Sequence, residues 1–194
     1  MKRKRLLLIT AVLSVLVYLS GCSDKMYVNR ALTWAESGIK LDTALKSVNH
    51  ATELEETKNW AKTYYVRGYV YQKLYETKDA EFKDVVEDPL FKAFDNYKEA
   101  YKMDEDDTYK GSIDAAMFKM HSHFINEGID AFKQENYQGA FDNFKYAIKV
   151  SEMPVFQGRV DTAIIFNAGL AAQNMKKWDN AAKYYQKAAK HGYQ

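Results

Sequence analysis

Residues 137–147 read YQGAFDNFKYA, and residues 178–188 read WDNAAKYYQKA. Each has a large apolar residue, Ala three positions later, an apolar or aromatic residue four after that, and Ala three further on. The same order runs through LDTALKSVNHA at 41–51 and LFKAFDNYKEA at 90–100. Spacings of three, four and three put Leu41-Ala44-Val48-Ala51, Leu90-Ala93-Tyr97-Ala100, Tyr137-Ala140-Phe144-Ala147 and Trp178-Ala181-Tyr185-Ala188 each on one face of an α-helix. The alanines let a neighbouring helix approach closely, and the large residues fill the space beside them. Four copies in identical order predict an all-α array of helical repeats.

Upstream of three copies lies a glycine set among large residues. In YYVRGYVY, Gly68 has Tyr64 four before and Tyr71 three after; in FINEGIDA, Gly128 has Phe124 and Ala131; in IFNAGLAA, Gly169 has Ile165 and Ala172. Gly128 and Gly169 each stand 12 residues before the first alanine of their pattern, whereas Gly68 stands 25 before Ala93. The 13 extra residues, around Glu76 to Asp88, predict an inserted acidic loop. It closes on Asp88-Pro89, a pairing that suits an N-cap followed by proline in the first helical turn. Gly38 is expected to end the first helix before Leu41.

These glycine and alanine patterns resemble the two helices of the tetratricopeptide repeat. Key alanines here lie 49, 47 and 41 residues apart, longer than the roughly 34 of a standard repeat, so the helices or their connections are lengthened. The resemblance implies a right-handed superhelix of about four hairpins over residues 26–192, divided near 26–55, 58–103, 108–152 and 157–192. It also implies a concave groove lined by residues three before, one after and four after each glycine. Those are Tyr65, Tyr69 and Gln72; Ile125, Ile129 and Phe132; and Phe166, Leu170 and Gln173, with Lys62, Lys73 and Lys133 at the margin. Some family members hold a peptide's terminal carboxylate with a lysine–asparagine clamp. Tyr65 and Tyr69 stand where the clamp has Lys and Asn, so that mode is not expected.

The amino terminus carries a different message. MKRKR is followed by an almost wholly apolar stretch from Leu6 to Tyr18 and then by LSGC. Thirteen helical residues span about 20 Å, short of a ~30 Å hydrocarbon core, which favours a cleaved signal over a permanent span. Leu19-Ser20-Gly21-Cys22 resembles the lipobox of bacterial lipoproteins. It implies removal of residues 1–21, a diacylglycerol thioether on Cys22, and a short lipidated tether over 22–25. Two or three acyl chains, at about 0.8 kcal/mol per buried methylene, hold such a protein on a membrane. Overall, the chain is similar to tetratricopeptide lipoproteins common in Bacteroidota, which implies a cell-envelope location, with the outer membrane preferred.

Removing the signal reverses the charge. Lys2, Arg3, Lys4 and Arg5 belong to it, so the mature chain keeps 24 basic and 26 acidic side chains. A formal charge of −2 offers no basic excess to neutralise phosphates, and nucleic-acid binding is not expected. The single cysteine excludes an intramolecular disulfide, leaving core packing to stabilise the fold.

Catalytic constellations are not evident. His121-x-His123 has the wrong helical spacing for one metal ion, because residues two apart diverge on a helix. The Asp104-Glu105-Asp106-Asp107 run would need Gly at 109 and Glu at 115 to form an EF-hand, and it has Tyr109 and Ala115. It reads as an acidic turn, with Asp107 or Thr108 capping the next helix. Most of the 15 tyrosines and 10 phenylalanines fall at helix-packing spacing.

The expectation is a non-enzymatic scaffold without metal or cofactor, presenting an apolar, aromatic groove to another protein or peptide. The alternatives are a component of an outer-membrane assembly or secretion machine and a glycan- or peptidoglycan-binding accessory protein. Metabolic labelling with a palmitate analogue is expected to mark the wild-type protein and to be abolished by Cys22→Ser. Retained label in the variant would refute anchoring through Cys22.

Overall fold

In the computed structural model residues 24–193 are described, so the signal segment and Cys22 lie outside the described residues. The described residues form eight α-helices and no strand: α1 (24–37), α2 (Leu41–Ala51), α3 (Ala61–Glu76), α4 (Pro89–Met103), α5 (Lys110–Lys133), α6 (Tyr137–Ser151), α7 (Thr162–Asn174) and α8 (Trp178–Lys190). The protein is therefore all-α. Among the described residues no helix is long and apolar enough to cross a membrane. The described residues divide into two compact units, one ending at Lys110 and the other beginning at Gly111.

In the first unit the patterned alanines Ala44, Ala51, Ala93 and Ala100 have no exposed surface, and Leu41, Val48, Leu90 and Tyr97 are buried beside them. Polar side chains join the helices where apolar contact stops. Arg67 of α3 donates from Nε to Asn49 Oδ1 of α2 at 2.8 Å and from Nη1 to Asn96 Oδ1 of α4 at 3.4 Å. Thr57 and Thr63 are fully buried in and after the α2–α3 connection; Thr57 Oγ1 donates to Ala51 O at 2.6 Å and Thr63 Oγ1 to Thr57 O at 2.8 Å. These bonds satisfy carbonyls at and beyond the end of α2 that the helix cannot.

Gly38, with φ +71°, follows the end of α1 as expected and donates to Ala35 O. The inserted segment before α4 holds a short 3-10 turn, Ala80–Phe82, whose Phe82 is buried and anchors it. Two capping expectations meet a left-handed backbone. Asp88 stands at the N-cap of α4 with Pro89 in the first turn, as expected, but it is left-handed, φ 51°, and its side chain makes no capping bond. Asp107 is also left-handed, φ 57°. Before α5 it is Asp104 that accepts from Tyr109 N and Asp106 that accepts from Thr108 N. At Asp88 the left-handed backbone departs from the extended conformation in which an N-cap side chain reaches the first turn.

The second unit repeats one turn twice. Glu135 and Lys176 are left-handed, each with φ 60°. The next residues, Asn136 and Lys177, donate back to Ala131 O and Ala172 O, both at 2.9 Å. This is the Schellman closure of a helix, built without the usual glycine. Asn136 then caps α6 by accepting from Gly139 N, and Asp161 caps α7 by accepting from Ala163 N and Ile164 N. Ala140, Ala147, Ala181 and Ala188 are all at most 4% exposed.

One packing expectation fails here. Trp178 is 62% exposed, whereas its counterpart Tyr137 lies edge-on to Phe132 at 5.2 Å. The residue corresponding to Phe132 in α7 is Gln173, which is held by the Tyr185 hydroxyl. The position that gives Tyr137 a ring to pack on thus holds a committed polar side chain in the last hairpin.

The three glycines explain how closely the helices pack. A Cβ built on Gly68 would lie 2.9 Å from the Tyr97 ring, on Gly128 2.7 Å from the Phe144 ring, and on Gly169 2.7 Å from the Tyr185 ring. Each ring is the third member of the repeated pattern on the following helix. The first hairpin has no such glycine; Ala31 and Ala35 of α1 and Val48 of α2 are small and fully buried instead. Gly128→Ala should destabilise by about 1–3 kcal/mol through overpacking. Gly111→Ala, in open space within α5, should be neutral or stabilising by up to about 1 kcal/mol. Equilibrium denaturation of the two variants checks the contrast.

Candidate functional site

The residues expected to line a groove fall in both units, and each set is described in its own unit. In the first, Tyr65 and Tyr69 are half-buried, with ring centroids 6.5 Å apart and planes 17° from parallel. Tyr109 stacks on Tyr65 at 5.0 Å, and Lys73 Nζ lies 5.3 Å from the centre of the Tyr69 ring. The chain itself thus covers part of this aromatic row. Gln72 is only 4% exposed. Its Oε1 accepts from the Tyr97 hydroxyl at 2.7 Å, and its Nε2 donates to Glu76 Oε1 at 2.7 Å. Its amide is thereby committed within the chain.

That bond follows from the glycine contact. A tyrosine ring laid over Gly68 carries its hydroxyl to the height of the residue one turn further along α3. A buried hydroxyl needs a partner, and Gln72 supplies it. Burial raises the Tyr97 phenol well above the ordinary value of 10.0. The last hairpin repeats the device nearer the surface: Tyr185 donates to Gln173 Oε1 at 2.7 Å, and burial raises its phenol too. In the middle hairpin both partners are apolar, Phe144 over Gly128 and Phe132 four residues on. The pairing of Tyr with Gln and of Phe with Phe was readable in the sequence once the glycine contact was known.

In the second unit the predicted residues separate into two groups. Phe166 is stacked by Tyr193 at 4.6 Å and 15°, and lies 5.1 Å from Tyr185. The end of the chain covers it. Ile125 is half-buried on α5. Ile129, Phe132 and Leu170 do come together. With Phe144, Lys133 and Asn167 they line a pocket of about 140 Å³ between α5, α6 and α7. Ile129 is 36% exposed at its mouth, and Lys133 Nζ lies 3.1 Å from Asp130 Oδ1. Phe144 and Asn167 were not anticipated, because Phe144 reads as pure core and Asn167 carries no distinguishing spacing.

His121 is half-buried, 5.1 Å from the Phe156 ring, with no hydrogen-bond partner for Nε2. Burial lowers its pKa against the opposing pull of Asp161. Among the described residues no group of three His, Cys, Asp or Glu is placed to hold a metal ion. No family model matches the chain, and no curated protein matches it.

Tyr97→Phe should cost about 1–3 kcal/mol, because it strands the buried Gln72 acceptor. Adding Gln72→Leu should recover much of that loss, since it rebuilds the apolar pairing of the middle hairpin. Tyr185→Phe, at a more exposed pair, should change stability by under about 0.5 kcal/mol. Only the neutral Tyr97 phenol donates, so its contribution is full below pH 10.0 and falls as pH rises from there through the raised native value. Urea titrations of the single and double variants, at neutral and alkaline pH, check each point.

Proposed function

We propose that this protein is a lipid-anchored, non-enzymatic scaffold of the cell envelope. Its tetratricopeptide-like hairpins continue into a right-handed superhelix, and it binds an apolar-anchored segment of another protein. The observation that carries the reading is the pocket at Ile129, Phe132, Phe144 and Leu170. Its volume of about 140 Å³ decides the kind of ligand. A cavity of roughly 150 Å³ holds one benzene, whereas drug-sized ligands occupy about 300–1,000 Å³. The pocket therefore suits one inserted Leu- or Phe-sized side chain, as an amphipathic helix or an extended peptide presents.

Its rim supports the same reading. Asn167 offers an amide suited to a peptide backbone, and Lys133 with Asp130 forms a polar edge around the apolar centre, the arrangement of protein interfaces. The tyrosines that a sugar would need as an open platform, Tyr65 and Tyr69, are partly covered by Tyr109 and Lys73, so a glycan reading draws no comparable support.

A photo-crosslinking residue at Ile129 in membrane-anchored protein should give a defined adduct that maps to an apolar side chain of one partner segment. Leu170→Glu should abolish the adduct while leaving the melting temperature within a few degrees. A crosslink pattern indistinguishable from that of a probe at exposed Lys183 would overturn the proposal.

A further inference from the structure

Two helices of the second unit end beside an apolar cavity. The C-terminal turns of α6 and α8 surround an opening of about 230 Å³, closed by α7 and the loop that precedes it. Ile148, Ile165 and Val160 form its apolar wall. The first two are 8% and 1% exposed, whereas Val160, at 40%, stands at the mouth. Arg159, Lys187 and Glu152 share that mouth, with His191 beside them. A helix C-terminus attracts cations, which accounts for basic side chains gathering where α6 and α8 end.

The cations differ in what they are bound to. Lys187 Nζ lies 3.2 Å from Glu152 Oε1. The Arg159 guanidinium has no hydrogen-bond or ion-pair partner among the described residues. The backbone sets its position: Gln157 and Gly158 are consecutive left-handed residues, φ 55° and 72°, and Arg159 N donates to Phe156 O at 3.0 Å. Phe156 in turn packs on Phe118 and His121, at 5.0 and 5.1 Å. The cavity and its arginine are thus formed without a ligand, which lowers the cost of binding one. Helix carbonyls that would repel an anion are already engaged: Ile148 O accepts from Ser151 Oγ at 2.7 Å and Ala188 O from His191 N at 3.1 Å.

An apolar wall offers water no hydrogen-bond partners, so a ligand's apolar body displaces water there at little cost. A guanidinium pairs with a carboxylate through two parallel N–H donors. Lys187 and Glu152 offset each other, and Arg159 leaves one net positive charge, which matches a monoanion better than a phosphate dianion. We propose that this cavity binds a monocarboxylate with an apolar body, of the medium-chain fatty acid class. Its chain lies against Ile148 and Ile165 and its carboxylate meets Arg159. Volume sets the size: a cavity of roughly 150 Å³ holds benzene, so this one takes about eight or nine carbon atoms. The site is separate from the opening at Ile129 and Leu170 and does not depend on a protein partner there.

The test is calorimetric titration of the full-length protein with octanoate, octanol and octylammonium, all below their micellar concentrations. Saturable, single-site binding of octanoate is expected, at least about tenfold tighter than that of octanol or octylammonium, as one charge-assisted contact provides. Arg159→Gln should remove that preference without weakening octanol. Val160→Trp, which fills the mouth, should remove binding of both. Arg159 and Val160 are exposed, so the melting temperature should hold in each variant. Lys183→Gln, at an exposed lysine elsewhere on α8, should change nothing. Leu170→Glu should also leave octanoate binding intact while it disrupts the proposed partner contact, so the two sites fail separately. No saturation, equal affinity for octanol, or octanoate binding unchanged in Arg159→Gln would each overturn the proposal. Loss of octanoate binding in Leu170→Glu would overturn it as well.

Discussion

An aromatic ring lying on the bare backbone of a glycine sets the spacing of each later helix pair, and much else follows from that distance. With a Cβ at Gly68, Gly128 or Gly169 the facing ring would have to move, because the gap is under 3 Å. Once the ring is seated, the alanines three and four residues to either side must be small, and all of them are buried. The ring also carries its para position to one height along the partner helix. A tyrosine there requires an acceptor, so Gln72 and Gln173 are fixed by Tyr97 and Tyr185. Phenylalanine requires none, and Phe132 above Phe144 leaves an apolar opening instead.

This coupling between core and surface bears on function. The residue four beyond each glycine was expected to face a partner in all three hairpins, yet its chemistry is decided by whether the core ring has a hydroxyl. Where it does, the amide is committed inside the chain. Where it does not, the position remains apolar beside a cavity of side-chain size. The proposed binding pocket is thus the one place among these three where the packing rule needs no polar partner. Stability and binding then draw on the same residues, Phe132 and Phe144 above all.

The helical architecture was legible because the pattern has the period of its own helix: Leu90-Ala93-Tyr97-Ala100 cannot be apolar on one face in any other regular structure. The three glycines were legible as positions, whereas the rings that lie on them were seen only in the structure. Local backbone conformation was not. Asp88, Asp107, Glu135 and Lys176 adopt left-handed turns that their side chains do not announce, so Asp88 stands at its expected N-cap position without making a side-chain capping bond. The groove was legible only as a set of positions. Which are covered depends on residues far along the chain, Tyr109 over Tyr65 and Tyr193 over Phe166, and no periodicity connects them.

The most direct measurement is the proton chemical shift of the α-hydrogens of Gly68, Gly128 and Gly169 in solution. A glycine under an aromatic face feels its ring current. The account predicts displaced shifts at all three, each returning toward the ordinary glycine range only when its own ring is replaced, in Tyr97→Leu, Phe144→Leu or Tyr185→Leu. Ordinary shifts in the native protein, or shifts indifferent to those replacements, would contradict it.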